Sequence, residues 1–175
     1  MNNEFLKETG VNSERLAMSN AIQAALQHNK TYKDFSTQKQ IRTFQTELAK
    51  QIRIEAQPYT VTVSDVEHLK AIRRIIDSVS LACGTSLANG RLKYGTAQKA
   101  FNLYLKFLWC LGNIARPPHC PIDRIVLTKA GINDAWTKCD SEDQYRGWIA
   151  RITAKAGDLA LSEWEHQVWL SGRRK

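Results

Sequence analysis

Cysteine pairs, strand-like alternation and long hydrophobic runs are all missing from this sequence, and each absence excludes a class of protein. No stretch reaches the roughly 18 consecutive apolar residues of a membrane span, and the opening MNNEFLKETG has neither the basic nor the apolar segment of a signal peptide. Together they predict a cytoplasmic protein with no membrane partner. Cys83, Cys110, Cys120 and Cys139 stand singly, so there is no CxxC pair for a zinc ribbon, an iron–sulfur cluster or a small disulfide scaffold. They are expected as buried thiols in a reducing compartment. His28, His68, His119 and His166 are scattered, and no Ser-His-Asp or phosphate-loop motif occurs. His119 beside Cys120 is too little for a metal site, so no metal and no other cofactor is expected.

What is present is enough for one core. A chain of 175 residues with 43% hydrophobic content can bury a sizeable interior, and residues 1–175 read as a single domain. The formal charge is +8, and the excess is central: residues 61–135 hold ten basic side chains against five acidic ones. A basic balance of this kind fits a polyanion partner, of which nucleic acid is the commonest. It also fits a protein with many solvated lysines.

Capping signals and apolar spacing predict an all-α fold of about six or seven helices, with 1–60 as an N-terminal helical pair and 61–175 as the core. The first helix starts at Asn12 or Ser13 and runs to about His28. The second starts near Ser36, where Thr37 and Gln40 form a capping-box pattern, and ends before Pro58. The short YTVTV at 59–63 reads as an extended connector. Ser64 and Glu67 open a third helix, in which Val66, Leu69, Ile72, Ile75 or Ile76 and Val79 recur at helical spacing. Thr96 is the expected N-cap of a helix ending before Gly112. Shorter helices follow near 123–130, from Ser141 and from Ser162, and the tail SGRRK is expected to fray.

The helix expected from Thr96 is apolar round most of its circumference, which places it at the centre of the core. Its polar residues Lys99, Asn102 and Lys106 fall on one narrow stripe. A Gly/Pro-rich loop from Gly112 to Pro121 then delivers Asp123 at the head of another apolar run.

The segments GTAQKAFN over 95–102 and PIDRIVL over 121–127, joined by that loop, resemble the helix-hairpin-helix DNA glycosylase superfamily. The similarity covers roughly residues 85–130. The chain departs from the family in having a single glycine, Gly95, at the hairpin and a longer interval between lysine and aspartate. The resemblance implies DNA binding with base extrusion, Lys99 as catalytic nucleophile and Asp123 as its electrostatic partner, on damaged or modified bases. Around the hairpin it implies nucleic-acid contacts by Arg91, Lys93, Tyr94, Gly95, Thr96, Lys106, Arg116 and His119, with backbone N–H groups near Gly95 taking a phosphate.

The residues themselves leave alternatives open. A lysine nucleophile must lose its proton, which a pKa of about 10.4 prevents unless burial or neighbouring cations lower it. Lys99, Asn102 and Lys106 read equally well as the one solvated face of a core helix. Asp123 reads equally as a helix cap, and RLK before Tyr94 as an ordinary polar turn. Trp136 and Tyr94, both near turns, are candidates for stacking on a base. The alternative to an enzyme is a non-enzymatic helical module that binds nucleic acid or a partner protein. The sequence does not fix the oligomeric state.

Overall fold

A computed structural model describes residues 3–27 and 29–172. Eight α-helices form among them: α1 (Asn3–Thr9), α2 (Glu14–Leu26), α3 (Gln38–Ala56), α4 (Asp65–Cys83), α5 (Tyr94–Leu111), α6 (Arg124–Lys129), α7 (Glu142–Ala156) and α8 (Leu161–Gly172). Short 3-10 turns lie at Gln57–Thr60, Gly84–Ser86 and Trp136–Lys138. The only β pairing in the described residues is an isolated bridge between Tyr32 and Leu87, so the fold is all-α. No helix among these residues is long and apolar enough to cross a membrane. His28, the expected end of the second of these helices, and the final RRK lie outside the described residues.

Side-chain caps set most of the helix starts. The Ser13, Thr37, Ser64 and Ser141 hydroxyls accept from the backbone N–H three residues on, and at Thr37 the Gln40 side chain returns the bond to complete a capping box. Each such cap is worth about 1 kcal/mol. Gly112 ends α5 at φ 81, a left-handed conformation that glycine adopts without a Cβ clash.

α5 lies at the centre and packs most extensively against α2, with α4, α1 and α7 around it. One cluster of buried side chains runs from Phe5 to Leu161, and α3 adds Phe44, Leu48 and Ile52 to it. The first 60 residues are therefore part of the core. Glu55 of α3, itself buried, receives two guanidinium nitrogens of Arg74 and clips α3 to α4.

Several details differ from expectation: Tyr59 and Thr60 belong to the Gln57–Thr60 3-10 turn and not to an extended connector, and α8 starts at Leu161, which puts Ser162 inside it. The helix α1 carries no strong start signal, yet Phe5 stacks on Phe107 with centroids 4.9 Å apart, so tertiary packing makes it. Val66 is 59% exposed, and His68 takes the inward position on α4 instead. α5 begins three residues early, almost a full turn, with Lys93 at the N-cap and no side-chain cap. The reason is tertiary: the Cys139 carbonyl accepts the Gly95 N–H at 2.9 Å, and Thr96 is buried inside the helix, where its hydroxyl accepts from the Asn29 amide.

Candidate functional site

The polar stripe of α5 is not a solvated face. Gln98, Asn102 and Lys106 are almost fully buried, and Lys99 keeps only 12% of its side chain exposed. The loop from Pro117 to Asp123 is laid along this stripe. The Gln98 amide donates to the Ile122 carbonyl at 2.7 Å, and its oxygen accepts the Ile122 N–H at 3.1 Å. Asn102 donates to the Cys120 carbonyl at 3.0 Å. Side-chain amides thus satisfy a buried loop backbone that has no strand or helix partner.

Tied down on both sides of Pro121, the loop brings Asp123 to Lys99, with Nζ to Oδ2 at 3.5 Å. The other carboxylate oxygen, Oδ1, accepts from the Ile125 and Val126 N–H groups and caps α6. Capping and pairing therefore coexist on one side chain: the cap holds the carboxylate in place and leaves Oδ2 for the amine. Beneath the pair, the Trp136 ring centroid lies 4.3 Å from Lys99 Nζ. Burial pushes the Lys99 amine below its ordinary value, against the Asp123 charge that holds it up.

This group opens into a cleft of about 620 Å³. Ala24 of α2 and Gln27, the C-cap of that helix, form one wall, and Arg124, Thr128 and the 132–137 segment form the other. Asp134 in that segment is fixed by the Trp148 indole N–H at 2.7 Å. The cleft therefore holds two cations and two carboxylates beside an aromatic floor, an arrangement suited to nucleophilic or proton-transfer chemistry on a neutral or singly charged group.

The chain matches no family model, no curated protein and no solved structure. Site assignments therefore rest on geometry.

Of the residues singled out around the hairpin, Lys99 and Asp123 meet in the cleft and the others do not join them. Tyr94 is buried against Tyr145, ring centroids 5.2 Å apart, and offers no stacking surface. Gly95 is closed over by the Trp136 backbone, whose carbonyl oxygen would lie 2.0 Å from an added Cβ, and its N–H is already taken by Cys139. With Thr96 also buried, the start of α5 is covered by the 136–140 segment and takes no phosphate through Gly95. Lys106 is paired with Glu165 at 2.7 Å in the core, so it is not a surface cation. Arg91 and Arg116 are exposed but engage Asp140 and Glu163, each at 2.7 to 2.8 Å. Lys93 is half-buried at the N-cap of α5.

His119 faces inward, away from the cleft. Its Nδ1 bonds the Tyr145 hydroxyl at 2.9 Å, and Tyr145 in turn receives Asn102. Its ring meets that of His68 at 4.5 Å, and His68 Nδ1 bonds the Tyr59 hydroxyl at 2.6 Å. Burial holds His119 down to about 4, with Asp65 opposing, and burial followed by His119 holds His68 well below its ordinary value. Both are neutral in the folded chain near neutral pH. The unfolded chain takes up their protons first, so stability present above pH 6.5 is lost as pH falls toward 4. Urea midpoints measured in steps from pH 7 to 4 are expected to fall over that window and to fall less in His119→Phe; a flat series would contradict the buried neutral pair.

Trp136, singled out in the sequence for stacking, lies in the cleft against Lys99, whereas Gln98 and Asp134 complete the site and were not singled out for it. The available signal was Gln98 and Asn102 at i and i+4, two amides inside an otherwise apolar helix. Such a pair needs buried partners.

Proposed function

We propose that this chain is a DNA-acting protein whose chemistry is carried by the Lys99 amine, a glycosylase or lyase of damaged or modified nucleotides. The observation that carries the reading is the Lys99–Asp123 pair, desolvated over Trp136 yet open to one cleft. The resemblance over residues 85–130 and the central basic excess support it, and four unpaired cysteines agree with a cytoplasmic setting.

In this reading Asp123 Oδ2 accepts a proton from the Lys99 ammonium. The neutral amine then adds to C1′ of an extruded abasic sugar in its aldehyde form. Asp123 returns that proton to the hydroxyl of the adduct, which leaves as water to give a protonated imine, and the regenerated Asp123 carboxylate opposes its positive charge. The cleft takes one nucleotide-sized group, and Trp136 and Ile132 line it without adding charge. Borohydride reduction converts the imine to a stable amine, so incubation with abasic and base-lesion DNA plus borohydride is expected to give a covalent protein–DNA band. Its absence from the wild type across the panel would remove the lysine chemistry.

A second reading follows from the capping bonds of Asp123, which suffice by themselves to explain the aspartate. In that case the chain is a non-enzymatic helical module that binds nucleic acid or a partner protein, and Lys99 serves to pin the loop to α5. It predicts no adduct at any pH.

A further inference from the structure

The helices at the start of the chain, α2 and α3, have no part in the chemistry above, yet their outer surface runs directly into the Lys99 cleft. Gln27 lines that cleft and also lines a groove between α2 and α3, where Ser19, Gln23 and Gln45 are its other polar residues. Ser19, Gln23 and Gln27 follow one another at i, i+4 and i+8, a line of about 12 Å at 1.5 Å per residue. Gln45 hands this line on along α3 to a third groove, which Lys39, Arg42, Thr43 and Thr46 border.

The chemistry changes along this path in a definite order. Next to the cleft come uncharged amides and a hydroxyl, and after them two exposed cations. Among the described residues neither Lys39 nor Arg42 makes an ion pair. Glu47, the one acid bordering the last groove, is held by the Gln51 amide at 2.7 Å and by Lys50 at 3.3 Å. Just beyond, two residues before the N-cap Thr37, Phe35 projects its ring into solvent at 80% exposure, with the Lys33 amine 6.0 Å from its centroid. An isolated phenyl ring this exposed, with one lysine beside it and the adjacent Asp34 paired to Lys30, is poorly explained by folding. It is the element from which single-strand platforms are built, where bases stack on the ring and phosphates lie against Lys and Arg.

We propose that this path is a track for single-stranded DNA, carrying the strand that flanks the nucleotide held at Lys99, past Gln27 and Gln45, to Arg42, Lys39 and Phe35. The assignment rests on the nucleic-acid reading above and adds to it a polarity: one flank of the target is gripped by α2 and α3. It also gives a role to the first 60 residues. The order along the track follows from the chemistry, because amides tolerate any base edge or phosphate near the reacting centre, whereas a further cation there would compete with Lys99 for Asp123.

The test uses two probes, a 12-nucleotide single strand with a central abasic site and a trimer with the same site, too short to reach α3 from the cleft. Binding of the 12-mer is followed by fluorescence anisotropy over a salt series, and covalent capture of both probes by borohydride trapping. For Lys39→Ala/Arg42→Ala, 12-mer affinity is expected to drop roughly tenfold, and the salt slope to shrink by about 1.4, two contacts at about 0.7 each for a single strand. Phe35→Ala is expected to weaken the 12-mer several-fold with the salt slope unchanged. Trimer capture should be unaltered in both variants. Unaltered 12-mer binding, or equal losses on trimer and 12-mer, would overturn the track, as would a wild type that binds neither probe. The two readings fail separately: an adduct with full 12-mer affinity in the variants removes the track alone, and variant-sensitive 12-mer binding without an adduct removes only the lysine chemistry.

Discussion

Glu165→Ala is expected to be the most damaging single substitution in this protein, with a loss of about 3–5 kcal/mol, the cost of leaving one member of a buried ion pair behind. The pair is Lys106 on α5 and Glu165 on α8, at 2.7 Å, with 2% and 6% of their side chains exposed. Lys106 is further enclosed by aromatic rings, its amine 4.2 Å from the Phe5 centroid and 5.6 Å from that of Trp169. These rings favour the charged amine but cannot replace a carboxylate. At about 2–4 °C per kcal/mol for a chain of this size, the melting temperature should fall by about 6–20 °C. Lys106→Met/Glu165→Leu removes both charges and keeps the volume, and is expected to regain most of the loss. Thermal unfolding followed by circular dichroism checks both. A single variant that melts within 2 °C of the wild type would mean that the pair is solvated and that α8 packs differently on α5.

The second large effect lies at the cleft and concerns Asp123→Asn. Asparagine caps helices as well as aspartate does, so α6 should survive, whereas Asp123→Ala should cost about 1 kcal/mol more through the lost cap. What Asn removes is the charge facing Lys99. Burial lowers the Lys99 pKa and Asp123 opposes that lowering, so without the carboxylate the amine loses its proton at lower pH. The pH at which borohydride capture reaches half its maximum should therefore move down in Asp123→Asn. Its plateau should fall too, since no carboxyl remains to give a proton to the departing hydroxyl. Lys99→Met should give no adduct at any pH. The stability sign follows the same logic: a buried ammonium opposes folding below its lowered pKa, and that cost disappears as pH rises toward the ordinary value of 10.5. A capture profile identical in wild type and Asp123→Asn would show that the two side chains do not interact in solution.

Local chemistry was legible in the sequence and its tertiary completion was not. Ser13, Thr37, Ser64, Asp123 and Ser141 all announce helix starts, because a cap is made with a backbone N–H two or three residues away. The Lys99–Asp123 meeting was readable as a possibility because a stiff loop returns to the helix it leaves. The burial of the stripe was not. Lys99, Asn102 and Lys106 show the same pattern on a solvated face as on one covered by a loop and by α8. What distinguishes the two is Cys120, Asp123 and Glu165, which are 18, 24 and 59 residues away from their partners. The start of α5 failed for the same reason: the Cys139 carbonyl that replaces a capping side chain lies far downstream of Gly95.

Gln98 has a consequence for how this site can change. By taking both the N–H and the carbonyl of Ile122, it acts as a one-residue strand edge inside a helical protein. The address of Asp123 is thus written on α5, in the spacing of Gln98, Lys99 and Asn102, and only weakly in the loop that carries the aspartate. Upstream in that loop, residues 115 and 116 are tied to other elements, the Ala115 N–H to the Tyr59 carbonyl at 2.8 Å and Arg116 to Glu163. The four positions from Cys120 to Asp123 behave as a graft on the helix, where a single inserted residue would turn the carboxylate away from the amine while leaving every helix intact.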